Sequence, residues 1–206
     1  MSDFDLLLRH LSERLASPHD LPVRTDGTPQ AAVTIILRGI RSDAELLIIK
    51  RAERQGDPWS GHLALPGGRA DAADVDLMAT AARETREEIG INLFEGGRFI
   101  GALPIIDIRN PRLPELEIQP FVAVAPAATA VQLNGEVAAI YWVSINQLRR
   151  DGASIEYRFK HGDLILKRPA YPSAGGPIWG ITEHILTSFL SLLDCPSELN
   201  DESTIR

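Results

Sequence analysis

LPGGRADAADVDLMATAARETREEIGI, residues 65–91, couples a proline–double-glycine turn to a helical pattern rich in carboxylates, and the rest of the chain reads as scaffold around it. At about 100° per residue, Met78, Ala81, Ala82, Thr85 and Ile89 fall on one stripe, a core face whose small side chains allow close approach to a sheet. Gly90 ends the pattern. Glu84, Glu87 and Glu88 stand at i, i+3 and i+4, so they share another face within one turn. Three carboxylates so placed raise one another's pKa unless a cation lies between them. Hard oxygen ligands of this kind suit Mg²⁺ or Mn²⁺. The plainer alternative is a solvated charged face, with Arg83 and Arg86 as partners along the helix.

Outward from this stretch, residues 4–16 carry Phe4, Leu7, Leu8, Leu11 and Leu15 at helical spacing, and residues 17–29 are loop-like in their Pro, Asp and Gly content. Ala31–Leu37 and Glu45–Lys50 read as neighbouring strands joined by a turn at Gly39–Asp43. A polar loop, Arg51 to His62, then leads through His62–Leu65 into the glycines. After the helix, Phe99–Ile108, Ile118–Ala125 and Ala138–Val143 are expected as strands, the first two separated by a loop from Arg109 to Pro114. Ser144 is placed to cap a short helix. Ile155–Phe159 and Leu164–Lys167 form an expected hairpin around Gly162, and apolar residues from Ile178 to Leu193 form a terminal helix. The sum is an α/β (α+β) sandwich, a mixed sheet flanked by helices, in one domain over residues 1–206 with helices 4–16 and 178–193 packed on it.

Composition narrows the function. The formal charge of −7 argues against a nucleic-acid polymer as partner. A phosphate-rich small molecule would instead need local arginines or a cation. The one cysteine, Cys195, leaves no intramolecular disulfide, and no Cys/His metal spacing occurs. No apolar run reaches the roughly 18–20 residues that span a bilayer, and the first residues lack a signal-peptide pattern, so the expectation is a cytoplasmic protein away from membranes.

The glycine turn and carboxylate helix together resemble the Nudix box: Gly, five residues, Glu, seven residues, Arg-Glu, an apolar residue, any residue, Glu-Glu, any residue, Gly, an apolar residue. Gly68 matches the opening glycine, and Arg83, Glu84, Glu87, Glu88, Gly90 and Ile91 match the second half. The chain departs from the pattern in one added residue between Gly68 and Arg83, in Asp74 at the early acidic position, and in Thr85 where an apolar residue is usual. The resemblance implies the Nudix fold and hydrolysis of a diphosphate linked to a nucleoside, dependent on Mg²⁺ or Mn²⁺. It implies Glu84, Glu87 and Glu88 as metal ligands, with the Gly68 carbonyl as a further one. Glu84 and Glu87 also take catalytic roles. Gly67, Gly68, Arg83 and Gly90 are structural, Arg83 pairing with a box glutamate, and Asp74 caps or braces the loop. A homodimer is compatible with the resemblance.

Outside the box, Glu136 is in a segment where many Nudix proteins carry another glutamate; it is either a further ligand or general base, or an exposed loop carboxylate. The long loop before the box, the added box residue and Pro177-Ile-Trp-Gly-Ile-Thr182 are similar to coenzyme A pyrophosphatases. That group carries Leu-Arg-x-His-x-Gly upstream, where this chain has Gly56-Asp-Pro-Trp-Ser-Gly-His62. Arg51 and Arg54 are candidates for phosphate contact, against solvent exposure. His62 and Trp59 are candidates for substrate contact, Trp59 either stacking on an adenine or, the preferred reading, packing under its loop. Trp179 is expected in the core. The substrate expected first is coenzyme A or a derivative, cleaved to 3′,5′-ADP and phosphopantetheine. Alternatives are ADP-ribose, dinucleoside polyphosphates, modified nucleoside triphosphates, or a nucleotide-sensing module without turnover. Isomerases sharing the fold use a catalytic cysteine, and Cys195 lies beyond the last expected helix.

Overall fold

Alternating burial along two central strands divides the molecule into layers. The structure, a computed structural model, describes residues 2–19, 21, 27–41, 43–57, 59–108, 115–127, 130–161 and 164–194. Strand β1 (Gln30–Ile40) and strand β2 (Asp43–Arg51) pair antiparallel, and both are longer than their apolar runs because ladder pairing continues into their polar ends. Ile35, Leu37, Leu46 and Ile48 face one layer, whereas Ile36, Leu47 and Ile49 face the other, the period of two that a strand imposes.

The first layer holds helices α1 (Asp3–Ser12), α3 (Ile145–Asp151) and α4 (Gly180–Asp194), which contribute Leu8, Leu11, Leu148, Ile185, Leu186 and Phe189 to its core. The second holds α2 (Leu77–Ile89), with Met78, Ala81 and Ile89 against the sheet. Among the described residues, the main sheet has eight strands. β7 (Leu116–Val124) lies parallel to β1, while β3 (Leu63–Ala64), β4 (Gly67–Arg69), β5 (Arg98–Ala102), β6 (Ile106–Ile108) and β8 (Val137–Ser144) pair antiparallel to their neighbours. A smaller sheet orders β11 (Ile178–Trp179), β10 (Leu164–Tyr171) and β9 (Ile155–His161).

The expected sandwich is the fold found, with four local corrections. Helix α1 stops at Ser12; Ala16 then pairs with Ala102 as an isolated bridge, so the chain leaves the helix to extend the edge of β5. The expected strand Phe99–Ile108 is two, β5 and β6, interrupted at Leu103–Ile105, where Pro104 cannot donate to a ladder. The glycine turn is itself strand: Gly67 and Gly68 pair with Val33 and Ala32 of β1. Ile178 and Trp179 form β11 ahead of α4, not its first turn. Ser144 does cap α3, its hydroxyl accepting from the Gln147 N–H at 3.0 Å. The Arg109–Pro114 loop, the hairpin turn at Gly162 and Cys195 lie outside the described residues. No helix among the described residues is long and apolar enough to cross a membrane.

Candidate active site

Helix α2 is fixed at both ends by its own sequence. Asp76 is the N-cap, accepting from the Ala79 N–H at 2.7 Å, and Gly90 takes the left-handed C-cap conformation at φ 75°. The helix rests on β1 and β4 through small residues. Thr85, an exception to the apolar pattern, meets Thr34 of β1 hydroxyl to hydroxyl at 3.4 Å, so each fully buried threonine has a polar partner.

This placement separates the three glutamates by environment. Glu88, only 3% exposed, accepts from the Gly67 N–H at 3.0 Å. Burial pushes its pKa up to about 7, opposed by that hydrogen bond. Glu84 lies directly over Gly68: a Cβ there would stand 2.5 Å from its carboxylate, so any larger residue at this position of β4 would push that carboxylate aside. Burial also raises the Glu84 pKa, against the lowering pull of Arg83. Glu87 is more than half exposed. Among the described residues no three Asp, Glu, His or Cys side chains form a ready cage for a metal ion. The Arg83 guanidinium bridges Glu84 at 2.9 Å and Glu87 at 3.3 Å and relieves their repulsion.

Arg83 is itself oriented by Asp74, the acidic residue that stands in for glutamate. Two parallel contacts of 2.9 Å join guanidinium to carboxylate, and Arg83 also donates to the Arg69 carbonyl. Asp74 accepts from Thr80 and from the Asp71 N–H as well, and these bonds, Arg83 first, hold its carboxyl far below the usual range. The bracing role expected of Asp74 is what its contacts show.

A cavity of about 560 Å³ opens beside the helix. Gly67, Gly68 and Glu88 form one part of its wall, Trp59, His62 and Trp179 another, and aliphatic residues of β7 and α4 a third. Arg51 also lines it, paired with Asp57 at 2.9 Å through Nη2, while its Nε is buried with no hydrogen-bond partner. An orphaned guanidinium N–H is costly and fits an anionic ligand. Arg54, the second arginine expected at phosphate, is not in the cavity wall. It is half exposed and bonded to Glu136 at 3.1 Å and to the Gly135 carbonyl. Glu136 is likewise half exposed, yet its charge reaches Glu84 and Glu88.

Three residues need correction or addition. Trp59 does not pack under its loop; it is 43% exposed and faces the cavity. Trp179 is not core but a half-buried wall residue, stacked on Tyr157 at 4.3 Å between ring centroids. Arg69, which the sequence reading missed, lines the same cavity. Its signal was its place directly after the glycine pair, where antiparallel pairing with β1 carries it to the wall.

The sequence matches the NUDIX domain family over residues 28–162, most of the chain and all of the helix and glycine strand just described. The chain belongs to the Nudix family. Among curated Nudix relatives, the peroxisomal coenzyme A diphosphatase ndx-8 of Caenorhabditis elegans is 30% identical over 68% of this chain and 58% of its own length. The human mitochondrial coenzyme A diphosphatase NUDT8 is 29% identical over 79% of this chain and 69% of its own. The chain spans about a third to two-thirds of the length of the curated relatives it matches. In fold, the Nudix hydrolase of Alicyclobacillus acidocaldarius aligns with a TM-score of 0.56, at 20% identity, over 85% of this chain and 95% of its own.

Proposed function

We propose that this Nudix protein is a divalent-cation-dependent diphosphatase that cleaves coenzyme A or a derivative into 3′,5′-ADP and phosphopantetheine. The observation that carries the reaction type is Glu88 beside Gly67 and Gly68 in the wall of a cavity that also holds Arg51 with its unpartnered Nε, Glu84 lying directly over Gly68. The relatives named coenzyme A diphosphatases support the substrate. Their names place them in peroxisome and mitochondrion, so the cytoplasmic expectation gains no support from them.

The donor set fits Mg²⁺ or Mn²⁺: hard carboxylate oxygens, one of them on a buried Glu88 whose charge a single backbone N–H does not offset. Glu84, Glu87, Glu88 and the Gly68 carbonyl would hold the ion, with Glu87 exchanging its contact to Arg83 for it. When bound, such an ion neutralises phosphate charge and acidifies a water. The chain's own groups do the rest. Arg51 and Arg69 hold the diphosphate, Arg83 and Asp74 keep Glu84 in position, and Glu136, exposed beside the carboxylates, takes the water's proton. Proton transfer to a positioned side chain contributes about 10²–10⁴-fold.

The test is incubation of the purified protein with coenzyme A and Mg²⁺ or Mn²⁺, products identified by mass, beside ADP-ribose and a dinucleoside polyphosphate. The expected product is 3′,5′-ADP. Glu87→Gln and Glu88→Gln should each lower turnover by at least about 10²-fold. Release of AMP from ADP-ribose alone would move the substrate. No turnover of any compound would leave a nucleotide-sensing module.

A further inference from the structure

Trp59 and Trp179, both in the cavity wall, make a tilted ring contact with centroids 6.4 Å apart and planes 44° apart. His62 stands edge-on to both, 6.0 Å from Trp59 and 5.0 Å from Trp179. The three rings form one aromatic cluster on the cavity wall. The two indoles differ in stiffness. Trp179 is backed by Tyr157 at 4.3 Å and Phe159 at 4.9 Å, both from β9, so its plane is set by the smaller sheet. Among the described residues, the aromatic contacts of Trp59 are to His62 and Trp179, and it is 43% exposed. Its backbone N–H is held by Asp57 Oδ1 at 2.9 Å, and the other oxygen of Asp57 holds Arg51.

We propose that Trp59 and Trp179 are the movable and fixed jaws of a clamp that sandwiches the purine of the substrate, with the His62 ring against its edge. A planar base between two rings needs about 7 Å, two van der Waals spacings. At 6.4 Å and 44° the two rings are in tilted contact, so a base enters only when Trp59 turns away from Trp179 until the ring planes lie parallel. Indole matches a purine in size, and stacking on aromatic rings is how flat bases are held without a sequence-like code. His62, kept neutral because burial lowers its pKa, presents one donor and one acceptor nitrogen. The Asp57 bridge ties the movable jaw to the arginine expected at the diphosphate, so base and phosphate are gripped by one connected unit. The proposal rests on the cavity being a nucleoside diphosphate site. Trp179 lies beyond residues 28–162, so this jaw is supplied from outside the family's matched segment.

The product 3′,5′-ADP is not itself a diphosphate, so its binding can be read by calorimetry on intact protein with Mg²⁺ and without turnover. Its 1,N⁶-etheno derivative reports stacking directly, through quenching of the base's own fluorescence. Quenching is expected with the wild type, Trp59→Phe and Trp179→Phe. Trp59→Ala and Trp179→Ala should each weaken binding about 10- to 100-fold, the loss of one base–aromatic stack, and relieve the quenching. Trp59 is at the surface, so its variant should melt as the wild type does. Binding without quenching, wild-type affinity in Trp59→Ala, or no binding of the probe would each overturn the clamp. Quenching without coenzyme A hydrolysis would overturn the proposed reaction and leave the clamp standing.

Discussion

Gly68 shows how a single hydrogen atom can position a carboxylate. Any side chain there would enter the space of the Glu84 carboxylate, 2.5 Å from an ideal Cβ. Gly68→Ala should therefore displace Glu84 and cut turnover by about 10²-fold or more while leaving the fold intact, because the strand pairs through its backbone. A variant of wild-type turnover would show that Glu84 is not needed where it stands. Asp74 offers a second test at this scale. Its folded-state pKa lies below the ordinary value of 3.8, so the protonated form is disfavoured in the native protein. Its contribution to stability is thus fully present above pH 3.8 and fades as pH falls through the lower native value. Urea titrations should find Asp74→Asn less stable by about 2 kcal/mol at pH 7, the loss of a charge-assisted pair, with the gap narrowing below pH 4. An equal gap at all pH values would assign the effect to packing. Glu84, Glu87 and Glu88 were legible from spacing, since i, i+3 and i+4 share a face whatever the helix packs on. Their unequal burial was not, because it depends on where β4 passes.

At the scale of elements, α2 is held by its caps as well as by a core face of Met78, Ile89 and smaller alanines and threonines. Asp76→Ala removes the acceptor for the Ala79 N–H and should cost about 0.5–2 kcal/mol in a thermal melt. A cost near zero would mean that water satisfies the Ala79 N–H as well as Asp76 does, since Asp74 accepts only the Thr80 hydroxyl from this helix turn and no backbone N–H of it. The periodicities of α2, β1 and β2 were legible because both faces of each element are defined by alternating or helical spacing. Shorter elements were not. β4 is two glycines and one arginine, and no alternation of side chains can mark so short a strand. Ile178-Trp179 sits in an apolar run that continues into α4, and only pairing with Ala170 and Tyr171 separates it as β11. That pairing turns Trp179 toward the cavity, which explains why it read as a core residue in the sequence.

Over the whole molecule, the family's matched segment ends at residue 162, yet one of the two layers of the sandwich comes largely from outside it. α1 supplies Leu8 and Leu11, α4 supplies Ile185, Leu186, Phe189 and Leu190, and the His10 Nε2 meets the Leu192 carbonyl at 2.9 Å between them. Ala16 and Ala102 exchange two backbone hydrogen bonds, of 3.1 and 2.9 Å, that fasten the end of this region to β5. A face of β1 and β2 as apolar as Ile35, Leu37, Leu46 and Ile48 would be exposed without these helices. The terminal helices should therefore unfold with the Nudix segment in one transition. Leu11→Ala, at a fully buried position, should lower stability by about 2–5 kcal/mol. Its far-ultraviolet circular dichroism and tryptophan fluorescence should still lose signal together, since Trp142 reports from β8 and Trp179 from β11 beside α4. If helical signal were lost well before fluorescence, α1 would be an appendage and the layer a loose one. In that case the wall of the cavity formed by α4 would not be preorganised, and Leu11→Ala would raise KM for whichever substrate is turned over without changing kcat.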